Sequence, residues 1–253
     1  FEKAIQRKPS SLVVLTDPNR GGAEEVRQIL NDIGLQDAYE FWICQSLGHK
    51  EEKIFQIIPK KPIFGLNSLH LVLLLATSNR INNPDLLPII GIPDGIFLQY
   101  EDNPGLMTKK EIRVQILSEL ELPRESILWD LGAGVGSIGL EAIRLRPKTK
   151  LLAIDKRYGS SKLIKNNSTL LGVNPDLIIE EDALKVIGSK YIPINLSCPD
   201  RIVIGGGGPK RIELLRVVIK VLKPNGIIII PLATIEAINE ITKFLNSIDL
   251  RAQ

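Results

Sequence analysis

Few residues of this chain are of the types that build disulfide frameworks or metal sites. Its 253 residues include two cysteines, two histidines and one methionine. Cys44 and Cys198 lie far apart in the sequence without metal-ligand spacing, and His49 and His70 are isolated. We therefore expect no metal site, and we expect both cysteines to be buried free thiols of a protein that lives in a reducing cytoplasm.

An excess of charge and long apolar runs are also missing. The net charge is only +3 and the basic residues are dispersed, which argues against a nucleic-acid partner. No apolar run approaches the roughly eighteen residues of a membrane-spanning helix, so no membrane partner is expected. Hydrophobic residues make up 44% of the chain, which is enough for the core of one large domain or two small ones.

The most informative segment is glycine-rich and lies at residues 128–136 (LWDLGAGVG). An apolar run at 126–130 predicts a buried parallel strand, apolar spacing over 137–145 predicts a helix, and 150–155 predicts a second strand that ends on Asp155. Glycine permits a sharp turn and leaves no Cβ between backbone and ligand, and the helix directs its amino terminus at that ligand. This order of elements predicts a site for a nucleoside cofactor.

Ser137 favours one class of cofactor over another. A dinucleotide fingerprint requires its third glycine at this position, whereas here the glycines alternate as Gly132, Gly134 and Gly136. S-adenosylmethionine has no pyrophosphate, so the turn need only hold its amino acid end and its ribose. Asp155 stands 19 residues after Gly136, and a carboxylate there can accept hydrogen bonds from both ribose hydroxyls. We therefore predict S-adenosylmethionine as the cofactor.

Patterns of strands and helices divide the chain into two parts. Residues 1–85 are predicted to form a small α/β subdomain, with strands at 12–16, 39–44 and 69–76 and helices at 23–33 and 48–58. Proline, glycine and asparagine interrupt residues 86–105, which we interpret as a linker. Residues 106–253 alternate helices with strands, which predicts a doubly wound, mostly parallel α/β sheet. Thr108 is predicted to cap the first helix of this part, in a capping box with Glu111.

Five segments of the second part resemble a family of corrinoid biosynthesis, the decarboxylating precorrin methyltransferases. They are 107–113 (MTKKEIR), 128–137 (LWDLGAGVGS), 153–155 (AID), 181–183 (EDA) and 199–208 (PDRIVIGGGG). The resemblance implies a Rossmann-like class I methyltransferase that uses S-adenosylmethionine to methylate carbon 15 of precorrin-6 and that decarboxylates the acetate chain at carbon 12. It also implies that the following residues contact the cofactor: Thr108, Asp130, Gly132, Ala133, Gly134, Val135, Gly136, Asp155, Asp182 and Ala183.

The resemblance further implies a substrate that is a tetrapyrrole polycarboxylate of the precorrin-6 type, and a homo-oligomer such as a tetramer. Cations are then expected at the substrate entrance, and the candidates are Lys109, Arg113, Lys156 and Arg157, although a plain surface charge is the favoured interpretation of each. The cluster Gly205, Gly206 and Gly207 follows the fourth strand, which favours a substrate-facing loop over a linker. We interpret Glu141 as structural and name no general acid or base.

Residues 11–17 (SLVVLTD) and 46–54 (SLGHKEEKI) resemble the second half of a tetrapyrrole methylase that acts on carbon 5. Such a methylase begins with a strand and a G-x-G-P-G loop that this chain lacks, and family members continue into further strands after the last helix. We therefore expect a piece of a longer protein, trimmed at both ends and without the carbon-5 activity. The turn at 132–136 would then be its one intact cofactor site.

Two other functions stay open on the sequence alone. A methyltransferase acting on RNA or protein would be expected to show a basic face, or a motif such as N-P-P-Y after the fourth strand, where this chain has IGGGG at 204–208. A non-catalytic domain that binds a separate methylase is the third hypothesis. Absence of S-adenosylmethionine binding by the intact domain would favour this third hypothesis.

Overall fold

Two compact units make up the protein. The computed structural model describes residues 1–17, 19, 21–58, 60–77, 84–104, 106–189, 191–205, 208 and 210–250, without the side chains of residues 2 and 3. Unit 1 comprises residues 1–88 and 92–106, and unit 2 comprises residues 89–91 and 107–253.

Unit 1 is built on a four-stranded antiparallel sheet in the spatial order β1-β4-β2-β3. Helix α2 packs on one face of this sheet, where its buried Val26 and Leu30 meet Phe41 and Leu74. The elements are α1 (Glu2–Gln6), β1 (Ser11–Leu15), α2 (Ala23–Asp32), β2 (Tyr39–Gln45), β3 (Lys53–Ile57) and β4 (His70–Ala76).

The helix predicted at 48–58 is wrong, because this segment contains strand β3. The sequence Lys53–Ile57 (KIFQI) alternates in burial, with Phe55 and Ile57 half-buried between exposed neighbours. Phe55 lies opposite Ile43 in the antiparallel ladder with β2. Pairing with β2 therefore prevails over the helix-forming lysines and glutamates that precede the strand.

Unit 2 is a five-stranded sheet in the order β7-β6-β5-β8-β9, in which every neighbouring pair is parallel. The predicted doubly wound parallel sheet is therefore confirmed. The elements are α3 (Lys110–Glu119), β5 (Ser126–Leu131), α4 (Ser137–Leu145), β6 (Thr149–Ile154), α5 (Ser160–Leu171), β7 (Leu177–Ile179), α6 (Ala183–Val186), β8 (Arg201–Ile204), α7 (Arg211–Val221), β9 (Ile227–Ile229) and α8 (Ile235–Asn246).

Helices cover both faces of the unit 2 sheet. On one face α4 approaches so closely that the Gly139 amide donates a hydrogen bond to Asp130. On the other face α7 and α8 share a core with Trp129 and Leu131. The chain runs outward from β5 through β6 in one direction and from β8 through β9 in the other, so β5 and β8 flank the switch point. Ligands of such sheets bind beyond the carboxyl ends of the strands at this point.

The two cysteines differ in their surroundings. Cys44 is a buried free thiol as predicted, whereas Cys198 is exposed, so the prediction that both are buried is wrong for Cys198. Burial raises the pKa of the Cys44 thiol, and the charge of Glu52 raises it further. Among the described residues, no helix combines the length and apolarity that crossing a bilayer requires.

Candidate cofactor site at the carboxyl edge of the parallel sheet

A left-handed glycine turn joins β5 to α4. Gly132, Gly134 and Gly136 have φ angles of 79°, 58° and 80°, a region that favours glycine. The amides of Gly132 and Ala133 both donate to the carbonyl oxygen of Ile154, at 2.8 and 3.1 Å. The turn is thereby fixed to the end of the neighbouring strand β6. The buried Asn167 side chain on α5 also donates to the carbonyl oxygen of Val135, at 2.9 Å.

The three glycines have different surroundings. A Cβ on Gly132 would collide with the carbonyl oxygen of Gly205, and a Cβ on Gly136 would press on Ile164 and Leu140. A Cβ on Gly134 would meet nothing within 4 Å. Gly132 and Gly136 are therefore required by packing within the protein, while Gly134 is the position where the turn faces open space that a ligand can use.

The structure places Asp155 against this turn. Its Oδ2 accepts a hydrogen bond from the Gly134 amide at 2.7 Å, and its Oδ1 accepts one from the Arg157 amide at 2.8 Å. The carboxylate is half-buried. Each carboxylate oxygen has two acceptor positions, so both retain room for a second donor such as a ribose hydroxyl.

Asp130 lies beneath the turn and is only 1% exposed. Its Oδ2 accepts a hydrogen bond from the Gly139 amide at 3.0 Å, while its Oδ1 has no hydrogen-bond partner among the described residues. Burial raises the pKa of this carboxyl to about 7; the Gly139 amide opposes the rise and the charge of Asp155 adds to it. A buried carboxyl with one unpaired oxygen is costly unless it is protonated or receives a partner.

The residues after β7 serve the neighbouring helices. Asp182 caps α6 by accepting from the Leu184 amide at 2.9 Å, and Ala183 begins that helix half-buried. Sequence reasoning did not find Glu180, which accepts from the amides of Gly159 and Ser161 at the start of α5. These bonds, the Ser161 amide first, lower the pKa of Glu180. The sequence pattern does not predict this contact, because the partners of Glu180 are about twenty residues away in the chain and belong to another element.

The start of α3 departs from the sequence prediction. Lys109, not Thr108, is the N-cap residue, and no side chain forms a cap hydrogen bond, so the capping box of Thr108 with Glu111 is wrong. Thr108 is half-buried, and its carbonyl oxygen accepts a hydrogen bond from Arg113 at 2.8 Å. Lys109 is exposed.

Arg113 does not line an entrance. Its side chain is fully buried, and its Nε lies 2.7 Å from Glu141 Oε2, with both side chains at 0% exposure. Glu141 also accepts a hydrogen bond from the Gly91 amide. The sequence contains a signal for this burial, because Arg113 shares the helical face of the buried Ile116, Leu117 and Leu120. The interpretation of Glu141 as structural agrees with this pair.

The glycine cluster after β8 begins beside the turn. The Gly205 amide donates to the carbonyl oxygen of Leu131 at 2.6 Å, which places Gly205 against Gly132 at the switch point. Gly206 and Gly207 lie outside the described residues. Of the other candidate cations, Lys156 is exposed and Arg157 is half-buried, directly after Asp155. Within the described ranges no group of His, Cys, Asp and Glu side chains is arranged to hold a metal ion.

Comparison with known proteins identifies the family. Residues 99–249 match the precorrin methyltransferase domain, which is more than half of the chain. A probable cobalt-precorrin-6B C(15)-methyltransferase (decarboxylating) from Pyrobaculum aerophilum is 33% identical over 159 residues, covering 62% of this chain and 77% of that protein. A precorrin-6Y C(5,15)-methyltransferase [decarboxylating] from Sinorhizobium sp is 25% identical over 219 residues, covering 86% of this chain and 50% of that protein. The chain thus spans half the length of this second relative.

Solved structures of similar proteins agree with this family assignment. The precorrin-6y C5,15-methyltransferase from Geobacter metallireducens GS-15 matches with a TM-score of 0.54 and 30% identity, covering 64% of this chain and 81% of that one. The precorrin 8w decarboxylase of Methanobacterium thermoautotrophicum matches with a TM-score of 0.54 and 28% identity, covering 62% and 80%. The predicted class I methyltransferase fold is confirmed, and family and fold together imply the use of S-adenosylmethionine. The chain belongs to the precorrin methyltransferase family.

Proposed function

We propose that this protein transfers a methyl group from S-adenosylmethionine to carbon 15 of a precorrin-6-type macrocycle and removes carbon dioxide from the acetate chain at carbon 12. The observation that carries the proposal is the glycine turn, bound to Asp155 through Gly134, at the switch point of a sheet whose chain belongs to the precorrin methyltransferase family. The names of the relatives support the reaction and the substrate class.

The residues present fit the cofactor. The open side of Gly134 leaves room for it, and the acceptor positions that remain on Asp155 suit its ribose hydroxyls. The carboxyl of Asp130, buried beneath the turn, favours a cationic ligand through its charge. Residues 132–136 would hold the amino acid end, Asp155 the ribose, and Asp182 and Ala183 the adenine, with Thr108 at the margin. When bound, the sulfonium supplies an electrophilic methyl group. The chain's contribution is orientation and exclusion of water around the reacting atoms.

The substrate would enter over the same edge of the sheet. Gly205 already lies at the switch point, and Gly206 and Gly207 continue that loop in sequence. Arg113 is buried, whereas Lys109 and Lys156 are exposed. Of the four candidate cations, these two lysines are therefore the better candidates for binding the carboxylates of the substrate. Arg157 is half-buried and held through its amide by Asp155.

For residues 1–85 we propose the carboxyl-terminal half of a tetrapyrrole methylase, with 86–105 as the connection to the methyltransferase domain at 106–253. The Sinorhizobium alignment supports this, since its 219 residues exceed the length of the methyltransferase domain. We also propose a homo-oligomer, such as a tetramer, which light scattering coupled to size-exclusion chromatography would test.

Mass spectrometry tests the reaction. The protein is incubated with S-adenosylmethionine and a precorrin-6 substrate, and the expected product has gained one methyl group and lost carbon dioxide. An unchanged corrinoid together with a methylated RNA or protein would instead support a methyltransferase of another substrate class.

Calorimetry tests the site independently of the substrate. Asp155→Ala should weaken S-adenosylmethionine binding about 10- to 100-fold, the loss expected for hydrogen bonds to a charged group. The matched control is Asp176→Ala. Asp176 precedes β7 at the opposite edge of the sheet, and its Oδ2 accepts a hydrogen bond from the Leu151 amide. Equal affinities for the two variants would contradict the proposed role of Asp155. No binding by the unmodified protein would favour a non-catalytic domain.

A further inference from the structure

Two carboxyl groups that flank the glycine turn in sequence have different environments. Asp155 is half-buried, and each of its oxygens accepts a hydrogen bond from a main-chain amide. Asp130 is fully enclosed, and one of its oxygens has no partner among the described residues. The negative charge of Asp155 acts on Asp130. A proton on Asp130 therefore relieves both an unsolvated charge and a like-charge repulsion.

Among the described residues of the surrounding elements, no cation lies where it would stabilise the ionised form of Asp130. Helices α7 and α8 pack on the face of β5 opposite to Asp130, and the elements that pack most closely against β5 are β6, β8 and α4. Their charged residues, with the residue that follows β6, are Lys150, Asp155, Arg201, Glu141 and Arg144.

Arg201 directs its guanidinium to the carbonyl oxygens of Leu120 and Glu121, and Glu141 pairs with Arg113. Lys150 lies at the amino end of β6, opposite Ile127. Arg144 is in the last turn of α4, away from Gly139. Of this set, Asp155 is the residue whose charge acts on Asp130, and its sign favours the protonated form.

We propose that Asp130 holds a proton in the cofactor-free protein and releases it to solvent when the cationic cofactor binds against the turn. This inference rests on the proposed use of S-adenosylmethionine. The arriving positive charge would stabilise the ionised carboxyl, so binding and proton release are two sides of one equilibrium. Asp130 would then be a positioning residue whose charge makes cofactor affinity depend on pH near neutrality.

The expected size follows from linkage. With a pKa of about 7, the ionised fraction of Asp130 in the free protein falls from about one half at pH 7 to about one eleventh at pH 6. Cofactor affinity should therefore weaken about fivefold over this unit of pH. The protons released per molecule bound should be about 0.9 at pH 6, about 0.5 at pH 7 and about 0.1 at pH 8.

Isothermal titration calorimetry of the full chain with S-adenosylmethionine, in buffers that differ in ionisation enthalpy, measures this release directly. Asp130→Asn keeps an acceptor for the Gly139 amide but carries no titratable group, so its binding should release no proton and should vary little between pH 6 and pH 8. Asp176→Asn is the matched control and should retain the wild-type release. Circular dichroism and a thermal melt establish that each variant is folded.

The outcomes separate this inference from the proposed function. Binding with no proton release by the wild type, or with the same release by Asp130→Asn, would overturn the role of Asp130 and leave the proposed function standing. No binding by the wild type at any pH would overturn both. If Asp130→Asn does not fold, the decline of wild-type release from pH 6 to pH 8 decides alone, and a constant release would overturn the inference.

Discussion

The two units of this chain contain sheets of opposite design. In unit 1 the edge strand β1 leaves Val13 57% and Leu15 85% exposed on one face, while the other face is covered by α2. In unit 2 every residue of β8 is buried, and so are five of the six residues of β5. Helices on both faces produce this difference, since parallel crossovers must pass above or below the sheet.

The comparison explains why the candidate site lies in unit 2. A parallel sheet collects the carboxyl ends of its strands at one edge, so residues distant in sequence meet there on rigid supports. Gly132, Asp155 and Gly205 directly follow three different strands, β5, β6 and β8, and their ends are joined by main-chain hydrogen bonds. In the antiparallel sheet of unit 1 neighbouring strands end at opposite edges, which disperses such residues.

The largest expected effect concerns buried charge. Arg113→Met should cost about 3–5 kcal/mol of unfolding free energy, because it removes the cationic partner of the buried Glu141 carboxyl inside unit 2. The counterpart in unit 1 is Lys60→Met, which breaks the ion pair of Lys60 with Asp37. These two side chains are 63% and 56% exposed, so the free energy of unfolding should change little. Urea unfolding followed by fluorescence reports both units, since Trp42 lies in unit 1 and Trp129 in unit 2. Similar losses for both variants would erase the contrast.

Apolar truncation should follow the same division. Leu128→Ala removes a fully buried side chain from β5 and should cost about 2–5 kcal/mol. Leu15→Ala removes an 85% exposed side chain from β1 and should stay within about 0.5 kcal/mol. The midpoint of urea unfolding is the measurement. A large loss for Leu15→Ala would mean that something covers the open face of unit 1 in solution.

The parts of the fold that the sequence predicted are those whose causes are local. Alternating glycines, an apolar run before them and a carboxylate after the next run were enough to predict β5, the turn, α4 and β6. The strand at Lys53–Ile57 was missed because its conformation depends on pairing with β2, a partner that no spacing within the segment reports. Glu180 was missed for the same reason, since it contacts α5 across the sheet edge.

A third contrast concerns left-handed glycines. Gly132→Ala combines positive φ with a collision against the Gly205 carbonyl and should cost about 2–4 kcal/mol. In unit 1, Gly48→Ala has a similar φ of 78° but open space around the new methyl group, so only about 1–2 kcal/mol is expected. Gly132→Ala should also abolish detectable S-adenosylmethionine binding, measured by calorimetry, while Gly48→Ala should not affect it. Equal losses of stability in the two variants would show that the Gly205 main chain can move away from the new methyl group at little cost.

The smallest expected effect is a difference in how pH acts on the two units. In unit 2 the pKa of Asp130 is raised from 3.8 to about 7, chiefly by burial. Between pH 3.8 and about pH 7 the native state therefore holds a proton on Asp130 that the unfolded chain has lost. The free energy of unfolding should fall as pH rises through this range. In unit 1 the hydrogen bond from Arg27 lowers the pKa of Glu24 below 4.5. Its contribution is complete above pH 4.5 and is lost as pH falls below that value.

The two directions can be separated with one tryptophan at a time. In a Trp42→Phe background, Trp129 reports unit 2, and its unfolding free energy should decrease by about 2 kcal/mol from pH 5 to pH 7. Adding Asp130→Asn should flatten this slope, whereas Glu24→Gln should leave it unchanged. In a Trp129→Phe background Trp42 reports unit 1, where Glu24→Gln should alter only the acid limb below pH 4.5. A slope that survives Asp130→Asn would assign the titration to another group, and the proton linkage inferred for the cofactor site would then lose its physical basis.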